Sequence, residues 1–133
     1  CSELLGDKKI WQFGIRSGEK YEFEWAKKHN TINKFDLNGL DDLICELKEA
    51  NLPVYFTVDL DVLDPSVFPG AGTPEPGGIS YKELQDAVIK VCGGLNIIAA
   101  DVVELCPHYD QSGASTAIAC KILRELLLAL SGR

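Results

Sequence analysis

The chain has 133 residues, of which 46% are apolar and 25% charged, and its formal net charge is −7. This length and composition predict one soluble globular domain, since disordered chains are poorer in apolar residues and a membrane helix needs an apolar run of roughly 20 residues. The negative charge makes nucleic acid and anionic membranes poor partners, because both bind basic surfaces, and favours a cationic ligand or a metal ion.

Predicted strands and predicted helices alternate along the first part of the chain, because the spacing of apolar residues changes between the two kinds of element. Residues 9–14 are a predicted short strand, and residues 19–29 a predicted helix that is polar on one side. Asn38 is the predicted N-cap of a helix over residues 39–50, where apolar residues recur at intervals of three and four. Residues 53–58 are apolar on both faces, which is typical of a parallel strand covered by helices.

A long stretch rich in turn-forming residues follows. Residues 65–78 are rich in proline and glycine, which excludes a helix or a central strand and predicts a loop. The loop is longer than a minimal connection, so we expect it to have a functional role. Ser80 and Glu83 then form a predicted capping box, which opens a helix to about Cys92. Gly93-Gly94 is expected to end that helix.

The last two predicted elements are again a strand followed by a helix. Residues 96–103 are a second buried strand, and residues 115–130 form an apolar helix with one continuous stripe of large aliphatic side chains. Strands and helices therefore alternate over the whole chain. This order predicts an α/β fold with a parallel sheet.

The cysteines indicate the redox setting. They are odd in number and contain no C-x-x-C pair, which argues against both a disulfide framework and a thiolate zinc site. Unpaired thiols are typical of a reducing compartment. We therefore expect a cytoplasmic location.

Acidic residues follow two of the predicted strands directly. Asp59 and Asp61 end the second strand, and Glu104 ends the third. Ligands of open α/β sheets bind beyond the carboxyl ends of the strands. Because residues i and i+2 of an extended segment face the same side, Asp59 and Asp61 are expected to point to one place and Leu60 into the core. Two such carboxylates repel each other unless a cation lies between them, and Mn²⁺ and Mg²⁺ prefer oxygen ligands. The pair therefore predicts half of a metal site.

Other roles for these polar residues stay open. A D-x-D pair is common, and acids at strand ends often cap turns. Asp64, which precedes Pro65, fits a turn role because its side chain can bond nearby backbone N–H groups. His108 is a further candidate ligand, although a histidine in a loop more often has no such role.

One long motif carries a family resemblance. Residues 56–65 (FTVDLDVLDP), followed by residues 69–78 (PGAGTPEPGG), resemble the ureohydrolases, the binuclear manganese enzymes that include arginase and agmatinase. Within this motif the sequences of residues 62–65 and 75–78 are more similar to those of agmatinase than to those of arginase. Shorter matches lie at residues 14–16, 103–104 and 107–110.

The resemblance implies a fold, a reaction and roles for three residues. The expected fold is a three-layer α/β/α arrangement with a mainly parallel sheet, and the expected reaction is hydrolysis of agmatine to putrescine and urea with two Mn²⁺ ions. Asp59 and Asp61 match metal ligands of the family, and Glu104 matches the acid that holds the substrate guanidinium. No catalytic residue is assigned on this chain. The family is typically homo-oligomeric.

The chain lacks part of the family pattern. Members are longer and carry, upstream, a Gly-Gly-Asp-His segment and an Asp-Ala-His-x-Asp segment that supply further ligands; here the only histidines are His29 and His108. Residues 1–133 are therefore expected to be the C-terminal portion of a single ureohydrolase domain. Alone, they are expected to bind Mn²⁺ weakly and to be inactive.

Three alternatives remain at this point. The substrate can instead be arginine, guanidinobutyrate or formiminoglutamate, since these are distinguished by loops that contact the far end of the substrate. A non-catalytic domain of the same fold is a second alternative. The third is a phosphoryl-transfer enzyme of the haloacid dehalogenase type, whose D-x-D motif also follows an apolar strand; that family usually has Thr where this chain has Leu63.

Overall fold

The structure, a computed structural model, describes residues 1–132. Its helices and strands are α1 (Ser2–Leu5), β1 (Trp11–Ile15), α2 (Lys20–His29), β2 (Thr31–Lys34), α3 (Leu40–Ala50), β3 (Pro53–Asp59), α4 (Tyr81–Gly94), β4 (Asn96–Val103) and α5 (Ala114–Leu130). Single 3₁₀ turns at Leu60–Val62 and Pro107–Tyr109 follow β3 and β4. The predicted α/β class is confirmed. Within residues 1–132 no helix is long and apolar enough to cross a bilayer.

Every strand pairs in parallel with one neighbour. Within the described residues β1 pairs with β2 and β3 with β4, as two two-stranded sheets. The predicted parallel pairing is thus confirmed, whereas β2 and the four-residue α1 were not predicted. β2 is short, partly exposed and lacks an apolar run, so its sequence carries no strand signal.

The core lies on one side of the β3–β4 pair. Alternate residues of β3 turn inward, and Val58 is almost fully buried. α4 and α5 cover this side with their apolar stripes. The buried cluster consists of Val58, Leu60, Leu63, Phe68, Ala71, Ile79, Leu84, Val88, Cys92, Ala119, Ile122 and Leu126.

The opposite face of the β3–β4 pair is open. Tyr55 on β3 is 61% exposed and Ile98 on β4 is 66% exposed. Between them Asp101 accepts hydrogen bonds from the Tyr55 hydroxyl and, at 2.6 Å, from Thr57 Oγ1. Residues 1–132 therefore supply a helical layer over one face of this pair and leave the other face in contact with solvent.

Helix boundaries follow local capping, with two corrections to the sequence analysis. The Ser80–Glu83 capping box is confirmed, since Ser80 N–H donates to Glu83 Oε2 at 2.8 Å and Glu83 N–H to Ser80 Oγ at 3.3 Å. The prediction that Asn38 caps α3 is wrong. Gly39, with φ +83°, occupies the N-cap position without a side-chain bond, and Asn38 N–H instead donates to Asp36 Oδ1 at 3.0 Å.

The two glycines at the end of α4 do not stop the helix. Both belong to its last turn, and Leu95 is the C-cap. Gly94 serves packing instead, because a Cβ at this position would lie 2.9 Å from Ile44 Cγ2 on α3. Gly94 thus allows α3 and α4 to approach closely.

A matched pair of isoleucines tests which face of β3–β4 carries the stability. Ile122 on α5 has no exposed surface, and its replacement by alanine is expected to lower the free energy of unfolding by about 2–5 kcal/mol. Ile98→Ala on the open face is expected to lower it by less than about 1 kcal/mol. Urea denaturation of both variants measures the two values. Equal losses would mean that the open face is covered in solution.

Candidate active site

The register of β3 and β4 brings their acidic ends together. Asp59 pairs with Val103, so Glu104, the next residue, lies beside the end of β3. The negative charge of Glu104 contributes to a raised pKa of Asp59. The two strand ends therefore form one acidic edge of the sheet.

The Asp59-Leu60-Asp61 segment has a different conformation from the extended one expected. β3 ends at Asp59, and residues Leu60–Val62 form a 3₁₀ turn. Asp59 is the N-cap of this turn, because its Oδ1 accepts from Asp61 N–H at 2.9 Å. Leu60 is fully buried, as predicted. The two carboxylates thus come together through a capped turn and not through strand alternation.

Asp61 has one satisfied and one unsatisfied carboxylate oxygen. Its Oδ2 accepts from the Thr73 hydroxyl at 2.9 Å. Its Oδ1 is buried and has no hydrogen-bond partner among the described residues. A buried carboxylate oxygen without a partner is costly, and a hard divalent cation would satisfy it. The Asp61 side chain therefore fits a metal ligand.

The donor set in this chain is partial. Among residues 1–132 no group of three or more His, Cys, Asp or Glu side chains is placed to hold a metal ion. Six-coordinate ions need several ligands each. Asp59 and Asp61 therefore fit at most part of a metal site within the described residues.

The electrostatics of Asp59 reflect crowding of negative charge. Partial burial of its carboxyl raises its pKa, and the charges of Asp61 and Glu104 raise it further. The hydrogen bond from Asp61 N–H and the positive charge of Arg16 act in the opposite direction. A cation at this edge would relieve the repulsion among the three carboxylates.

Glu104 has an unusual backbone conformation. Its φ is +70°, in the left-handed region that residues with a side chain rarely adopt. Its side chain is exposed, and Oε2 lies 3.5 Å from the position that a Cβ on Gly72 would take. Strain of this kind gathers at functional sites. The Glu104 carboxylate thus lies beside Gly72, on the edge that also holds Asp59.

The turn role expected of Asp64 is confirmed. Its Oδ1 accepts from the Ser66 N–H and hydroxyl, and its Oδ2 accepts from Gly77 N–H at 2.8 Å and Gly78 N–H at 3.3 Å. These bonds lower the pKa of Asp64 to about 2. Gly78 has no room for a side chain, since a Cβ there would lie 2.5 Å from Asp64 N. Asp64 therefore fastens both ends of the long loop.

The middle of the same loop is fastened to α5. Gly70 N–H donates to Ser115 Oγ at 2.9 Å, and the Asp110 carboxylate accepts from Ser115 N–H at 2.7 Å. Asp110 also accepts from Ser112, and together these bonds hold the pKa of Asp110 far below its usual range. Cys106 N–H donates to Gly70 O at 2.7 Å. The loop is thus held against the segment that follows Glu104.

The structure adds two residues to the candidate site, and among the described residues it shows no hydrogen bond between a third candidate, His108, and the acidic edge. Arg16 and Thr73 contact the Asp61 segment, although the sequence analysis gave neither of them a role. Both lie in stretches that match the family, residues 14–16 and 69–78, and this match is the signal that could have identified them. His108 is exposed, and in the described part of the chain only its carbonyl oxygen forms a hydrogen bond, with Gln111 Nε2.

An arginase family model matches residues 1–129, and the chain belongs to this family. Within it the chain is 46% identical to the agmatinase of Bacillus cereus over 129 residues, which are 95% of this chain and 44% of that protein. The structure of a putative agmatinase from Clostridium difficile superposes with a TM-score of 0.92 at 48% identity, over 98% of this chain and 48% of that one.

A relative with another name is less similar than these two proteins. The human mitochondrial guanidino acid hydrolase is 33% identical over 135 residues, which cover 96% of this chain and 38% of that protein. The resemblance to ureohydrolases read from the motif is confirmed. The chain spans less than half the length of the curated relatives that it matches.

The bonds of Asp64 predict a loss of stability in acid. A carboxyl whose pKa is depressed on folding stabilises the native state above its unfolded pKa of about 3.9, and this contribution disappears as the pH falls through the folded value. For Asp64 the window therefore runs from about pH 4 to about pH 2.

The variant Asp64→Asn cannot titrate at this position, and it isolates the contribution. Between pH 5 and pH 2.5 it is expected to lose less unfolding free energy than the parent, as measured by urea denaturation at each pH. Other carboxyls, Asp110 among them, titrate in both proteins and cancel in the difference. Identical losses in the two proteins would contradict the role of Asp64 as the loop anchor.

Proposed function

We propose that residues 1–133 are the C-terminal portion of a single ureohydrolase domain. The complete protein would hydrolyse agmatine to putrescine and urea at a binuclear manganese site. The sequence and structural similarity to agmatinases supports this substrate over the guanidino acids, because the human guanidino acid hydrolase is less similar. The sequence of the motif at residues 62–65 and 75–78 also favours agmatine as the substrate.

One observation carries the proposal. The buried Oδ1 of Asp61 has no partner within residues 1–132, and it lies on the acidic edge that Asp59 and Glu104 share. A carboxylate kept in this state is costly in a protein that works without a cation. The same edge is suited to a positively charged substrate, because it gathers three carboxylates in a chain with a net charge of −7.

Each acid has a separate role in this proposal. Asp59 and Asp61 hold metal ions together with donors from outside the chain. Bound divalent ions supply an activated water and stabilise developing negative charge. Glu104 accepts the substrate guanidinium, for which a carboxylate is the natural bidentate partner. Gly72 lies beside the Glu104 carboxylate, since a Cβ there would come within 3.5 Å of Oε2.

The biological setting is part of the same proposal. An enzyme that forms putrescine from agmatine belongs to polyamine biosynthesis. A cytoplasmic location and a homo-oligomer are part of the proposal, from the unpaired cysteines and from the resemblance to ureohydrolases respectively. Its partner is a small cationic guanidinium compound. The acidic chain does not suit nucleic acid or an anionic membrane surface.

Urea release tests the reaction and the substrate together. The complete reading frame that encodes these residues is expected to release urea from agmatine in the presence of Mn²⁺, and to act less well on arginine, guanidinobutyrate and formiminoglutamate. The 133-residue chain alone is expected to release none, because its donor set is partial. Preference for another of the four compounds would correct the substrate, and activity of the short chain would contradict the division of the site.

Two variants of the complete protein separate metal binding from substrate binding. Asp61→Asn is expected to weaken Mn²⁺ binding roughly 10–100-fold or more, because it changes a ligand. Glu104→Gln is expected to raise the KM for agmatine and leave Mn²⁺ content unchanged. Asp41→Asn is the control, since Asp41 forms an exposed ion pair with Lys90 far from these residues in sequence. If Asp61→Asn retained full metal content and activity, the assignment would be wrong.

A further inference from the structure

Arg16 contacts three segments of the chain with one guanidinium group. Nη1 donates to Val62 O at 3.0 Å and more weakly to Gly14 O at 3.4 Å. Nη2 donates to Asp61 O and, at 2.9 Å, to Glu75 O. The side chain thus joins the end of β1, the turn that bears Asp61 and the long loop.

All acceptors of this arginine are main-chain carbonyl oxygens. Among residues 1–132 no carboxylate forms a salt bridge with Arg16, although three carboxylates lie on the neighbouring edge. Its Nε is buried without a partner. The fork is therefore directed by the backbone of the Asp61 turn and of the loop.

The two segments that Arg16 holds carry both partners of the Asp61 side-chain bond. Asp61 provides the carboxylate, and Thr73, which donates to its Oδ2, stands two residues before Glu75. Pro74 lies between them and stiffens this stretch. Fixing Asp61 O and Glu75 O therefore fixes the direction of the Asp61 carboxylate and of its unpaired Oδ1.

Close contact between β1 and the turn makes this arrangement possible. Gly14, with φ +71°, has no room for a side chain, since a Cβ would lie 2.4 Å from Val62 Cγ2. Lysine cannot replace the fork of Arg16, because a single ammonium cannot reach carbonyls on three sides in one plane. The sequence Gly14-Ile15-Arg16 thus supplies both the close approach and the clamp.

The geometry points to Arg16 as a positioning residue. It holds the Asp61 turn and the Glu75 segment so that the Asp61 carboxylate presents its free oxygen to the metal. The metal-binding part of this inference rests on the proposed function. The ordering of the turn depends on the contacts of Arg16 alone.

The first experiment uses the 133-residue chain and needs no metal. Amide hydrogen exchange, followed by NMR, reports the bond from Asp61 N–H to Asp59 Oδ1. Arg16→Met and Arg16→Lys are both expected to speed exchange at Asp61 at least tenfold and to leave strand β4 unchanged. Arg124→Met is the control, because Arg124 is exposed on α5 and pairs with Glu125. Unchanged exchange at Asp61 in both Arg16 variants would overturn the inference.

The second experiment uses the complete protein with Mn²⁺ alone as the probe. Both Arg16 variants are expected to bind Mn²⁺ roughly 10–100-fold more weakly, as is typical when a group that orients a ligand is removed. A purely structural clamp would lower the melting temperature and leave Mn²⁺ affinity within twofold of the parent, and that result would overturn the inference. If the parent itself binds no Mn²⁺, the proposed function fails, and the exchange experiment still decides whether Arg16 orders the turn.

Discussion

The parallel pairing of β3 with β4 is the constraint on which the candidate site depends. Parallel strands have their carboxyl ends at the same edge of a sheet, so the residues that follow each strand become neighbours. The observed register sets Asp59 against Val103 and brings Glu104 beside it. An antiparallel pair would separate these acids by the length of the strand. The apolar inner face, packed on α4 and α5, fixes that register, because a slip by one residue would turn Val58 to solvent.

The long loop adds a wall to this edge, and its rigidity does not come from regular secondary structure. Asp64 binds the amides at its far end, Ser115 binds its middle through Gly70, and Arg16 binds Glu75. Each bond satisfies a backbone group that the loop would otherwise leave unpaired. The acidic edge, the wall and the helix α5 therefore form one connected polar network above the apolar core.

Much of the framework could be predicted from local chemistry. The strands at residues 53–58 and 96–103 are rich in apolar and β-branched residues, and the Ser80–Glu83 box marks the start of α4 without tertiary information. β2 could not be predicted, because its four residues owe their conformation to pairing with β1 and not to an intrinsic preference. Asn38 had the right residue type for a cap, but its side-chain amide donates to the Asp36 carboxylate instead.

The acidic residues of the candidate site could be predicted from the sequence, but the contacts that position them could not. A D-x-D sequence after a strand indicates two neighbouring carboxylates, yet the capped turn at Asp59 depends on where the strand stops pairing. Arg16 lies 45 residues from Asp61 in sequence and binds carbonyl oxygens, which every residue possesses. A pattern of side chains therefore could not reveal its acceptors.

The backbone of Glu104 has a consequence for protein engineering. A φ of +70° suits glycine or asparagine, and a glutamate held there costs about 1–3 kcal/mol. Replacement by glycine would relieve this strain and also remove negative charge next to Asp59. A search for thermostable variants would therefore tend to select changes at this position and lose the proposed guanidinium contact in doing so. Glu104 marks a place where the optimum for folding and the optimum for the proposed chemistry require different residues.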